Sequence, residues 1–206
     1  MQKIRQTRFF TEVYHIMAEK YYSRQKENLA ARCLKGVGYW FLGNFMCFFM
    51  CTTMLNLMRS LLTLKIFISF CTLTITMGLF FNWAHYAAKR DRNAIKFHNM
   101  EYDKYMPVKM AVAAPIFPYI MLICLYLSKA GIISDIFSYY IWGNIWLLPF
   151  ITMFTGERTI DAIPWLGIFG ITFLVLIQPI TIAITYIFTY NDVDVTKMIF
   201  YKNDKK

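Results

Sequence analysis

Long apolar runs alternate with short polar stretches along this chain, and the runs have the length that a lipid bilayer selects. Candidate spans fall at residues 36–58, 66–86, 108–127, 136–154 and 163–188, and none carries a charge deep inside. A helix needs about 20 apolar residues to cross a hydrocarbon core of roughly 30 Å. A membrane β-barrel would show short alternating segments instead. The pattern therefore predicts an all-α fold, a polytopic transmembrane bundle of five hydrophobic helices. The fourth is the irregular one. Its stretch "DIFSYYIWGNIWLLPFITMF" holds Asp135 at one end, Asn144 in the middle and Pro149 near the far end. Those residues suit a broken or partly re-entrant helix, which membranes tolerate where protein buries the backbone.

Ahead of the spans, Phe10, Val13, Met17 and Tyr21 recur at three- and four-residue steps, with Arg8, Glu12, His15 and Glu19 on other faces. That spacing predicts an amphipathic helix, suited to the inner membrane surface or to the face of a partner protein. Acids at Glu12, Glu19 and Glu27 and the lack of an apolar core argue against a secretory signal peptide. The expected organisation is a cytoplasmic or interfacial segment at 1–35, a transmembrane domain at 36–190 and a polar basic tail at 191–206.

Composition agrees: 58 % of the 206 residues are hydrophobic and only 17 % are charged. The formal net charge of +10 has a simpler cause than nucleic-acid binding, which is not expected. Lys and Arg mark cytoplasmic loops and meet anionic headgroups there. Eight of the 22 Lys and Arg lie at positions 3 to 35, six between Lys89 and Lys109, and four in the tail. The N-terminus and the 89–109 loop are therefore placed inside. If the fourth segment crosses, there are five spans, with fifteen cations inside and seven outside. If it only dips into the outer interface, there are four crossings and the balance is eighteen against four. Charge favours four, hydropathy five.

Polar residues inside the spans fall into register. Ser69, Thr72 and Thr76 follow Lys65 at helical steps; Gln178, Thr181, Thr185 and Thr189 do the same and lead to Asp192. Gly36, Gly43, Cys47 and Cys51 share a face of the first span. Small and hydroxylated faces let membrane helices approach and hydrogen-bond; the sharper reading is a polar groove between the second and last spans. Pro115, Pro118, Pro149 and Pro179 free backbone carbonyls for a ligand or a kink. No ionisable residue sits at mid-membrane and no second half repeats the first, so coupled transport by this chain alone is disfavoured. The five cysteines show no paired metal-ligand pattern, so no metal or cofactor is expected, although Cys47 and Cys51, four apart, lie on one face.

The most polar interior stretch is "WAHYAAKRDRNAIKFHNMEYDKYMPVKM". It reads as the main cytoplasmic loop, with Trp83 and Tyr86 as interfacial anchors and Lys89, Arg90, Arg92 and Lys96 on anionic headgroups. His85, Asp91 and His98 are the candidates for acid–base chemistry on a lipid headgroup. If the helix runs on through His98, the two histidines point about 220° apart, and they converge only if it breaks between them.

From Asp91 onward the chain resembles small, uncharacterised multi-span integral-membrane proteins of Gram-positive bacteria. The carrying residues are "KRDRNAIKFHNMEYDKYMPVKM", "YIWGNIWLLPF", "QPITIAITYIFTYNDVD" and "MIFYKNDKK". The resemblance implies a bacterial plasma-membrane location and several helices, with the basic tail inside; it carries no activity or catalytic residue. The first expectation is thus a non-enzymatic plasma-membrane protein, a scaffold or accessory subunit with a membrane-protein partner or a second copy of itself. The alternatives are a transport component with a groove between the second and last spans, and a membrane enzyme acting on headgroups at the central loop.

Overall fold

The computed structural model describes residues 29–58, 62–98, 101, 103–154 and 159–193. The expected amphipathic helix around Phe10–Tyr21 and the basic tail beyond residue 193 lie outside the described residues. By its internal contacts the chain divides into two compact units, Met1–Arg32 and Cys33–Lys206. Every regular element among the described residues is helical: α1 (Leu29–Met58), α2 (Leu62–His98), α3 (Met106–Ala113), α4 (Ile116–Lys129), α5 (Phe137–Gly143), a 3-10 turn (Ile145–Leu147), α6 (Leu148–Phe154) and α7 (Trp165–Tyr190). Three are long and apolar enough to cross a membrane, within Leu29–Met54, Leu62–Lys96 and Trp165–Tyr190; the bent pair α3–α4 makes a fourth if taken as one span. Their outward faces carry Phe41, Phe45, Phe70, Phe81, Val112, Ile120, Leu166 and Phe173, all exposed, as lipid contact requires.

The second helix overshoots. Its 37 residues extend about 55 Å at roughly 1.5 Å per residue, far more than a hydrocarbon core. The stretch expected as a loop continues the helix through His98, because Ala87, Ala88, Lys89, Arg90, Arg92, Ala94 and Lys96 favour helix and no Gly or Pro interrupts them. Helix α3 then starts on Asp103, whose carbonyl accepts from the Met106 N–H and whose carboxylate accepts from the Tyr105 N–H and from Lys109 Nζ (2.6 Å). The Lys109 ammonium, with the Tyr105 N–H, holds the Asp103 carboxyl below the usual carboxylate range. The contact is therefore intact at neutral pH and is lost as pH falls through that lowered value.

Between α3 and α4 the axis bends by 53°. Pro115 sits at the bend and cannot supply the N–H that a continuous helix would need. At its far end α4 closes with Gly131 at φ +74. The Gly131 and Ile132 N–H groups bond back to Ser128 and Leu127, the left-handed glycine termination that turns the chain sharply.

The fourth expected span is not one helix. It is two seven-residue helices around a three-residue 3-10 turn, each helix about 10 Å long. The break falls at Asn144 (φ −131, ψ 55), whose side-chain amide donates to the Tyr140 carbonyl alongside its own backbone N–H. Pro149 prevents repair one turn later, since it lacks the N–H that would reach the Ile145 carbonyl. Both ends of the segment are stitched together. Asp135 accepts from the Phe137 N–H at its start (2.8 Å) and from the Ile160 N–H beyond its end (3.3 Å). Lys129, the last residue of α4, donates to the Ile160 and Asp161 carbonyls, both at 3.0 Å.

Side-chain contacts fix the helix directions. Gly36 approaches Trp83, Gly43 approaches Leu79 and Thr76, and Cys47 contacts Thr72 and Thr76, so α1 and α2 are antiparallel. Thr181 meets Met77 and Thr189 meets His85, each pair 104 residues apart, so α2 and α7 run parallel. Tyr126 bonds Thr172 and Lys129 lies over Trp165, so α4 opposes α7. Two buried clusters result. One gathers Cys47, Cys51, Leu125, Tyr140, Trp146 and Val175; the other gathers Trp40, Phe80, Trp83, Met110, Ala114 and Ile182.

Gly36 is required by the second cluster: a Cβ there would stand 2.6 Å from the Ala114 Cβ, whereas one on Gly38 would meet nothing within 4 Å. Gly36→Ala is expected to lose about 1–3 kcal/mol by overpacking, read as an earlier thermal melt in detergent. Gly38→Ala should melt like the parent.

Candidate functional site

Two groups of polar side chains stand out, one at the shared end of α2 and α7 and one in the interior. At the helix ends, His85 Nδ1 lies 3.0 Å from the Thr189 hydroxyl, and the Tyr186 hydroxyl donates to Asp91 at 2.6 Å. Arg92 pairs with Asp192. Tyr190 stacks on Tyr186 with a 4° interplanar angle. Asp192 can reach Arg92 because it takes the left-handed position (φ 57) that ends α7. These contacts tie the extension of α2 to the end of α7.

The three residues considered for headgroup chemistry are not brought together as a set. His85 and Asp91 are engaged with α7. His98 lies in the same unbroken helix as His85, thirteen residues on, or about 20 Å along the axis; its side chain is outside the described residues. Trp83 needs a correction. It was expected at the membrane interface but is 5 % exposed, packed among Trp40, Phe80 and Ala84 beside Gly36. The helix phase explains this, for Phe80, Trp83, Ala84, Ala87 and Ala88 form one buried stripe at helical spacing. Tyr86, off the stripe, is exposed. Lys89 and Lys96 are exposed, and Arg90 and Arg92 are half-buried.

In the interior, Ser69, Thr72, Thr76, Gln178 and Thr185 are buried and Thr181 is half-buried. Most of the hydroxyls are satisfied within their own helices: Thr72 donates to the Ser69 carbonyl, Thr76 to the Thr72 carbonyl and Thr181 to the Ile177 carbonyl. Across helices they meet sulfur, at Thr76–Cys47 (3.7 Å), Ser69–Met153 (3.5 Å) and Thr181–Met77 (3.5 Å). Gln178 differs. It is 0 % exposed, and neither its Nε2 nor its Oε1 meets a hydrogen-bonding partner among the described residues. It lies near the centre of α7, between Trp165 and Tyr190. The broken segment 136–154 contributes more such atoms: the Tyr140 hydroxyl, Asn144 Oδ1 and Trp146 Nε1 are also buried and unmatched among the described residues.

Among the described residues no three His, Cys, Asp or Glu side chains converge on a metal site. Cys47 and Cys51 are both buried, Cys51 with its sulfur 4.0 Å from the Ile145 carbonyl. Sequence reasoning had noted Asn144 only as a break and had missed Tyr140, Trp146 and Tyr186. Their aromatic character makes them look like packing, and only their burial reveals the polar atoms.

The architecture is that of an all-helical membrane protein. Comparison with protein-family models, curated proteins and solved structures gives no match.

The Tyr186–Asp91 bond joins a hydroxyl to a carboxylate. Tyr186→Phe keeps the ring and removes the donor, and should cost about 1–3 kcal/mol in denaturant unfolding. A variant as stable as the parent would show that the contact adds nothing to the α2–α7 pairing.

Proposed function

We propose that the chain is a non-enzymatic integral protein of the bacterial plasma membrane and serves as a component of a transport system. It crosses the bilayer four times, with a re-entrant segment at 136–154 and both termini on the cytoplasmic side. A polar solute enters its interior between α2 and α7. One observation carries this reading: a fully buried amide near the middle of α7, Gln178, with both ends unmatched. An unpaired buried polar group costs about 1–3 kcal/mol, so an amide held there without a partner among the described residues favours a ligand over packing.

The topology is supported by the direction of the helices. Since α2 and α7 run parallel and α4 opposes α7, the segment between α4 and α7 makes no net crossing. Asp135 bonds residues at both of its ends, as a segment returning to the side it entered requires. The cation balance of eighteen inside against four outside belongs to this arrangement. Exposed Lys89 and Lys96 face the anionic inner leaflet, and the extension of α2 offers a surface to a membrane-protein partner or a second copy.

Topology is checked with reporters placed before Met1 and after Lys206, which should report the same side; opposite sides would sink the four-crossing arrangement. The passage is checked by replacing Ser69, Thr72, Gln178 and Thr181 singly with Cys, in a background freed of the five native cysteines. A membrane-impermeant thiol reagent should label at least Gln178→Cys and Thr181→Cys. Uniform protection would overturn the transport reading and return the chain to the role of a scaffold subunit.

A further inference from the structure

We infer that the interior site takes a small neutral solute carrying both a hydrogen-bond donor and an acceptor, of the polyol or amide class, and that Gln178 is its central recognition residue. This deepens the transport reading and rests on it.

Position is the first support. The register of 104 residues between α2 and α7 sets Gln178 level with Thr74, between the turns of Thr72 and Thr76. Those two hydroxyls already donate to carbonyls of their own helix. Val175, three residues before Gln178 and so on its face, is packed in the cluster that holds Tyr140, Trp146 and Cys47.

The chemistry of the unmatched atoms is the second support. Gln178 Nε2 can only donate and Gln178 Oε1 can only accept. A donor and an acceptor are thus both present, and the amide carries no charge. An ion entering here would shed its water with no opposite charge to receive it, which is the costly case. A neutral molecule with hydroxyl or amide groups gives each unmatched atom a partner and needs no counter-charge. A site built to hydrogen-bond its ligand also rejects analogues that lack the bonding group.

Gln178 itself is the discriminating residue, since Gln178→Leu removes both amide atoms while keeping most of the volume. Replacing an unmatched buried amide with an apolar side chain removes a penalty, so this variant should melt no earlier than the parent, which guards against a trivial loss of fold.

The test uses the full chain in lipid vesicles with a single reporter cysteine at Thr181→Cys, one helical turn from Gln178. Labelling by the impermeant thiol reagent is timed with glycerol, urea or glucose present, and with sodium chloride at equal osmolarity. At least one neutral solute should slow labelling about tenfold, the factor that some 1.4 kcal/mol of occupancy corresponds to, and sodium chloride should not. Adding Gln178→Leu should abolish that protection, and Gln178→Asn, which keeps the amide, should retain part of it. Labelling that none of the three solutes slows, that salt slows equally, or whose protection survives Gln178→Leu overturns this inference while leaving the passage intact. A Thr181→Cys chain that is never labelled overturns both.

Discussion

The parallel pairing of α2 with α7 is the constraint on which the other elements depend. Two helices that run the same way and touch along their length need an odd number of return passes between them. The α3–α4 pair supplies one return, opposed to α7 through Tyr126–Thr172 and Lys129–Trp165. Segment 136–154 is then left with no net distance to travel, although its composition is as apolar as that of its neighbours. A straight helix of its length would have to end on the wrong side. The sequence avoids that outcome with Asn144 at the break and Pro149 just beyond it, and Asp135 and Lys129 tie the ends together. These ties are charged groups bonding backbone, roughly twice as strong as neutral pairs, where loop ends would otherwise leave polar groups unpaired.

Much of this was legible in the order of residues, and what was not has definite physical causes. Hydropathy located the long helices because lipid contact demands apolar side chains around a helix. The same measure overcounts at 136–154, because a segment buried among other helices is also apolar; Tyr140, Trp146 and Leu147 are each 0 % exposed. The count of cations responds to sidedness and not to burial, so it weighs that segment differently from hydropathy. Trp83 was misread because interface and core both accept tryptophan, and only the phase of the stripe through Phe80 and Ala84 separates them. The run of α2 past residue 86 was underestimated because charged residues suggested a loop, whereas Lys, Arg and Ala are good helix formers wherever solvent can reach them. The bonds joining Asp91 to Tyr186 and Asp135 to Ile160 span 95 and 25 residues, and no local pattern announces such pairs.

The polar stripes illustrate a distinction between residues of similar hydropathy. Threonine and serine carry a short hydroxyl that can fold back on a carbonyl three or four residues earlier, as Thr72, Thr76 and Thr181 do. Such a residue enters a membrane interior at little cost and need not serve any ligand. Glutamine has two donors and an acceptor carried further from the backbone, and its own turn offers it nothing comparable. Gln178 lies on the same buried stripe, yet its amide is unmatched where the hydroxyls are satisfied. Removing it would make the interior more apolar and the bundle no less well packed, so packing alone gives no reason for glutamine there. A reason has to come from something that meets the amide, and the neutral, paired donor and acceptor character of the amide limits what that can be.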